Sequence, residues 1–273
     1  MKRLPIFATL RDALALVWRD RRDFVAFAYL PVIANALLGV ALQSSLPSPL
    51  PNDAAALIAS LSGVTIAIWL VSLVATIGFY IVFALAWHRR CLLPGETTTV
   101  GAALRWRARH WRFFGVTMAL AIGVILAAVV LNFAAAPVAA ALFAGNSGAG
   151  GIFSVVLSFI VVTLAMRFLL LFPAIAIDEP MTPAESWRRT RGNGATLFML
   201  LFAISLAIAI VHQILVLAWV TALGSFAANG SLLALLALAL LVQSLAFIGV
   251  ALMTTVVSIA YRELDGSAAA PTV

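Results

Sequence analysis

MRFLLLFPAIAIDEPMTPAESWRRTRGN, residues Met166 to Asn193, is the stretch whose reading decides the fold. It leaves an apolar run through Arg167 and Pro173, then passes an acidic pair, Asp178 and Glu179. Thr182, Pro183 and Glu185 follow in a capping-box pattern: a hydroxyl to accept an orphan amide, a proline whose missing N–H is no loss at the first helical position, and a glutamate at the third. The helix so opened carries Trp187, Arg188, Arg189 and Arg191, and it stops at Gly192-Asn193-Gly194. Another apolar run then begins. The stretch reads as a short basic helix at a membrane interface, joining one span to the next.

Composition agrees with that reading. The chain is 64% hydrophobic and 10% charged, with mean hydropathy +1.12, whereas soluble domains are about half apolar and a quarter charged. No polar interval reaches the roughly 50 residues that a separate soluble domain needs. The net charge of +7 would fit a nucleic-acid partner, but its placement argues against one. Every basic residue except Arg167 falls in four segments: Lys2 to Arg22, Arg89 to Arg112, Arg188 to Arg191, and Arg262. The charge is topological, and no nucleic acid is expected. The lone Cys91 permits no intrachain disulfide. Residues 1–23 lack an unbroken apolar core, which argues against a cleaved signal peptide. Arginine in place of lysine and abundant alanine point to a GC-rich bacterial genome.

Six apolar runs are long enough to cross about 30 Å of hydrocarbon, at about 24–42, 63–87, 113–136, 152–172, 195–222 and 232–260. Pro137 is expected to end the third. Gly115, Ala119, Gly123 and Ala127 within it form a small-residue stripe that lets a neighbouring helix approach. Leu46–Asp53, Ala144–Gly151 and Gly224–Ser231 are the outer turns, and they hold no lysine or arginine. That asymmetry places both termini in the cytoplasm, in a bacterial inner membrane.

Three basic segments then lie on one leaflet. Leu10, Ala13, Leu14, Val17 and Trp18 sit at helical spacing before the first span. Arg105, Arg107, Arg109 and Arg112 interleave with Trp106 and Trp111 before the third. Arg188, Arg189 and Arg191 accompany Trp187 before the fifth. Indole prefers the headgroup level and guanidinium meets lipid phosphate, so these are expected to be interfacial amphipathic helices contacting anionic headgroups. Their clusters centre near Trp18, Trp106 and Arg188, which is compatible with a three-fold repeat of helical hairpins; any in–out–in hairpin with basic inner flanks would look alike. The expected fold is an all-α integral membrane protein forming one domain over residues 1–273.

Arg167 is the one formal charge inside a span, a position that marks function by default. Counted along a continuous helix it lies roughly 20 Å below the outer end, at a depth comparable to Asn35 and Gln243. The three could bind an anionic headgroup or substrate. The alternative is a guanidinium that reaches the inner phosphates or bonds Asp178 and Glu179. His212 and Gln213, level with Asn132, read as interhelical hydrogen-bonding groups. Gly145 to Gly148, GNSG, resembles the serine motif of rhomboid proteases, with Ser147 as nucleophile and His212 as base; that family, however, takes its histidine from the sixth span, which here has none. His88, His110 and His212 have no metal-ligand spacing, and no carboxylate pair, Walker loop or dinucleotide motif is present. No cofactor, metal or catalytic residue is expected.

The segment containing Arg167, Pro173, the acidic break and ESWRRTRGN resembles a pattern in the membrane domain joined to some bacterial glycerophosphodiester phosphodiesterases, and in related six-span inner-membrane families. RRCLLPGE, Arg89 to Glu96, is similar to the corresponding earlier loop. The resemblance implies a non-catalytic membrane module serving envelope lipids or a protein partner, and no catalytic residue carries over. The expected function is therefore a lipid-associated or partner-binding module in envelope homeostasis, with anionic membrane lipids and a protein partner or second copy as its partners. The alternative is a small-solute or lipid transporter with a polar site around Arg167.

Overall fold

The computed structural model describes residues 3–47, 53–96, 101–102, 105–142, 147–228 and 231–264, and no strand occurs among them. The helices are α1 (Ile6–Arg19), α2 (Arg21–Ser45), α3 (Ala54–Ser60), α4 (Gly63–Leu92), α5 (Ala108–Leu142) and α6 (Ser147–Ala165). A 3-10 turn (Met166–Phe168) leads to α7 (Leu171–Ala176), α8 (Pro183–Arg189), α9 (Gly194–Ala228) and α10 (Leu232–Leu264). Six stretches are long and apolar enough to cross a membrane: α2, α4, α5, the run Ala149–Ala176, α9 and α10. They coincide with the six expected spans, and the helices continue past them at the arginine-bearing end, to Leu92 in α4 and from Ala108 in α5.

Three local expectations are corrected. Pro137 lies inside α5, which runs on to Leu142. The proline costs the bond to the Phe133 carbonyl, and the alanine-rich segment around it stays helical. The fourth crossing is not one helix, because α6 stops at Ala165. Pro173 would clash with the Leu169 carbonyl in a continuous helix. The chain tightens instead, with Leu169 N donating to Met166 O at 3.3 Å and Phe172 N to Leu169 O at 3.2 Å. Finally, Arg105 to Arg107 are not helical; Arg109 and Arg112 belong to the first turns of α5 itself.

The core is built from α2, α4 and α10, which pack against one another. Phe27, Ala28 and Val32 of α2 meet Phe83, Ala86 and Trp87 of α4 and Phe247 and Ala251 of α10. Phe83, Trp87 and Phe247 are fully buried. Phe83 meets Phe247 edge-on at 5.1 Å, and Phe24 meets Trp87 edge-on at 6.0 Å, the offset geometry that ring quadrupoles favour. The buried residues of α4 lie almost wholly in Ile81–Cys91, and those of α10 in Phe247–Tyr261. Packing is therefore densest in the arginine-bearing half. α9 joins through Leu200 and Ile204 against Val256 and Leu252 of α10.

α1 has three faces. Thr9 and Ala13 are buried, Ala13 against α9 and α10. Phe7, Leu14 and Trp18, spaced to share a second face, are exposed. Asp12, Ala15 and Arg19 occupy a third, also exposed. α5 and α6 pack on each other, and the 18-residue apolar window of α5 contains no buried residue.

Candidate functional site

Arg167 stands where the fourth crossing breaks. A 3-10 turn frees its carbonyl from the α-helical ladder, and the hydroxyls of Ser186 and Thr190 donate to it at 2.8 and 3.0 Å. Both hydroxyl residues are fully buried on or beside α8. The guanidinium Nη2 donates to the Trp187 carbonyl at 2.6 Å and the group lies over the Trp187 ring, 3.6 Å from its centroid. This arrangement docks α8 onto the break, with Arg167 Nε left buried and unpartnered. Thr182 caps α8 as its spacing predicts, accepting from Glu185 N at 3.2 Å. Gly192 closes it with φ 81°, a left-handed conformation that glycine adopts without steric cost. The next residue, Asn193, is buried and accepts from Leu4 N at 3.0 Å, tying the N-terminal segment to this turn.

Asn35 and Gln243 belong to a different place. α4 and α10 run in the same direction, in a register marked by Tyr80 stacked on Phe247 at 4.9 Å, Trp87 Nε1 donating to Thr255 Oγ1 at 2.8 Å, and His88 Nδ1 at 2.8 Å from Ser258 Oγ. The same register sets Thr76 level with Gln243, and Thr76 Oγ1 donates to Asn35 Oδ1 at 3.3 Å. Asn35 and Gln243 thus occupy one level of the α2–α4–α10 core, with Asn35 Nδ2 and Gln243 Oε1 both buried and unpartnered. Among the described residues no hydrogen bond links either to Arg167. Arg167 packs instead against Gly194, the first residue of α9, where a Cβ would meet Arg167 Cγ at 3.1 Å.

The loop carboxylates do not pair with Arg167 either. Asp178 lies 3.1 Å from Arg109 Nη1 and 3.5 Å from Arg89 Nη1. The Ala176 carbonyl accepts from the same two guanidiniums, at 2.7 Å from Arg89 and 3.4 Å from Arg109. Asp178 reaches this position with φ 60°, a conformation that aspartate tolerates better than most side chains. Arg89 also binds Glu96 at 2.5 Å, and Tyr261 donates to Glu179. Arg90 joins Asp20 at 3.2 Å and Asp23 at 2.5 Å. Asp20 also holds Arg19, whose guanidinium keeps its proton more tightly for that hydrogen bond. Arg89 and Asp178 as a hub were not foreseen. The available signal was that acids on an otherwise basic face need partners.

The arginines expected at lipid headgroups divide into two groups. Arg109 is turned in to Asp178, and Arg189 pairs with Glu185 one turn away at 2.5 Å. Arg105, Arg107, Arg112, Arg188 and Arg191 are exposed, and among the described residues none has a carboxylate within ion-pair distance. Trp106 packs edge-on against Trp111 at 5.4 Å beside them, and both are exposed, as is Trp187. Gly145 and Asn146 of the GNSG motif lie outside the described residues, as does the side chain of Ser147. Among the described residues no three His, Cys, Asp or Glu side chains converge as metal ligands. Comparison with protein-family models, with curated proteins and with solved structures finds no match to this chain in any of the three.

Proposed function

We propose that this chain is a non-catalytic, multi-pass bacterial inner-membrane module that holds anionic lipid headgroups at its cytoplasmic face. The observation that carries the reading is the set of exposed, uncompensated guanidiniums, Arg105, Arg107, Arg112, Arg188 and Arg191, beside exposed indoles at the ends of apolar helices. A basic residue near an anionic leaflet contributes roughly 1 kcal/mol of attraction, and tryptophan anchors the same depth. The positive-inside bias supports a cytoplasmic location for this face and for both termini. The interfacial-helix part of the reading rests on α1 and α8, each a separate helix before a span. Before α5 the basic residues extend from a non-helical segment into the span helix. The repeat reading rests on hairpin pairing of α2 with α4, α5 with α6, and α9 with α10. A role in envelope-lipid homeostasis, alone or with a protein partner or second copy, follows from the resemblance described above.

The test is lipid retention. Protein purified in mild detergent should keep phosphatidylglycerol or cardiolipin over phosphatidylethanolamine, and R105Q/R107Q/R112Q should lower that preference about ten-fold or more, as three surface cations predict. Unchanged retention overturns the proposal.

A further inference from the structure

α6 and α9 form the walls of an open cleft of about 360 Å³ lined by Ser154, Val155, Ser158, Phe159, Val162, Phe198 and Phe202. Phe159 packs against Phe198 at 4.8 Å and Phe202 at 5.8 Å, and these rings form its floor. The Ser158 hydroxyl is spent on the Ser154 carbonyl at 3.0 Å, so it offers no free donor to a polar solute. The volume lies within the range of ligand clefts, about 300–1,000 Å³. The lining of the cleft is almost wholly apolar, which suits an unbranched apolar chain.

The foot of the cleft is cationic. Val162 lies one turn before Ala165, where α6 ends two residues ahead of Arg167, and Phe198 lies roughly 6 Å from the first residue of α9. At that end Gly194 brings the two helices together: a Cβ there would meet Arg167 Cγ at 3.1 Å and the Thr163 carbonyl at 3.4 Å. The turn that precedes Gly194 carries Arg191, whose backbone N donates to the Arg188 carbonyl at 3.2 Å. Glu185, the acid nearest in sequence, is already paired with Arg189.

We propose that this cleft and the arginines at its foot form one site for an anionic glycerophospholipid. An acyl chain lies against Phe159, Phe198 and Phe202, and the phosphate faces Arg191 and Arg188. This assignment rests on the lipid-binding reading above and names a place for one of the lipids. Charge complementarity selects the occupant, because a zwitterionic lipid gains no net attraction from a cationic foot that has no free acid beside it.

The experiment is photolabelling in nanodiscs with phosphatidylglycerol or phosphatidylcholine carrying a diazirine on one acyl chain, read by peptide mapping. Phosphatidylglycerol should label 154–162 and 198–202 about five-fold more than phosphatidylcholine does. R188Q/R191Q should bring the two lipids level, and Val162→Trp should abolish labelling by both. Each variant is first checked for an unshifted melting transition; the arginine pair is exposed and suited to that requirement. Equal labelling by the two lipids, or equal labelling of this cleft and the exposed face of α5, overturns the site. So does disulfide dimerisation of Phe159→Cys, which would put a second copy there. If the retention assay still responds to R105Q/R107Q/R112Q while the cleft shows no preference, the site assignment alone falls. If neither responds, both proposals fall.

Discussion

Arg109 turns inward, away from the exposed arginines on either side of it in sequence, and sets its Nη1 3.1 Å from the carboxylate of Asp178. Arg89 shares that carboxylate and the Ala176 carbonyl, so one aspartate in a left-handed turn links the end of α4, the start of α5 and the loop after α7. A charge that the alternating pattern assigns to lipid is used to hold three elements together.

Arg109→Gln is therefore expected to act on stability and not on lipid. A hydrogen bond to a charged group contributes about 1.5–3 kcal/mol when buried, and Asp178 is half exposed, so about 1 kcal/mol is the expected loss. Cys91 is buried and is the only cysteine, so its reaction with a thiol-sensitive dye during heating reports unfolding. R109Q should lower the midpoint by a few degrees with lipid retention intact; R105Q/R107Q/R112Q should do the reverse. The opposite pattern would mean the two groups have been assigned the wrong way round.

Arg167 is expected to behave as a docking residue for α8. Arg167→Ala removes a carbonyl hydrogen bond and a stacked guanidinium, together about 2 kcal/mol. Arg167→Lys should recover less than half, since an ammonium keeps the charge but loses the planar stack. The same thiol assay checks both, and an unshifted midpoint for Arg167→Ala would show that Trp187 and its helix dock without it.

Asn35 and Thr76 present an acceptor and a donor at one level of the core. Interhelical hydrogen bonds in membranes contribute about 0.6 kcal/mol on average. A double-mutant cycle with Asn35→Leu and Thr76→Val should give a coupling of about that size, because Thr76 Oγ1 donates to Asn35 Oδ1 across α2 and α4 at 3.3 Å. Strict additivity of the two single changes would place the residues out of each other's reach.

Topology can be read directly. A fluorescent protein that matures only in the cytoplasm should be bright when fused after Glu96 and dark when fused after Pro47. Brightness at the second site and not the first would invert the orientation and remove the basis for a cytoplasmic lipid face.

What the sequence made legible was local or compositional. Six apolar runs follow from composition, and α8 could be bounded almost to the residue because Thr182, Pro183, Glu185 and Gly192 each act within one turn. What stayed hidden depends on contacts between distant residues. Asp178 meets Arg89 and Arg109, and Leu4 meets Asn193, only after the chain has folded. The break after Ala165 and the seating of Arg167 against Gly194 depend on packing with α8 and α9, which no local pattern encodes. Arg105 to Arg107 alternate with Trp106 as an interfacial helix would, yet helix α5 begins only at Ala108.

The bare apolar flank of α5 has a mechanical consequence. Its attachments beyond α6 lie at Phe113, Arg109 and α7, and α6 meets α9 through Phe159 and Phe198. Among the described residues all of these are in the same half of the bundle, so the distal half of this hairpin is held by α5 and α6 packing on each other. Stretching or thinning of the bilayer would load it as a lever, with its fulcrum at the Asp178 junction.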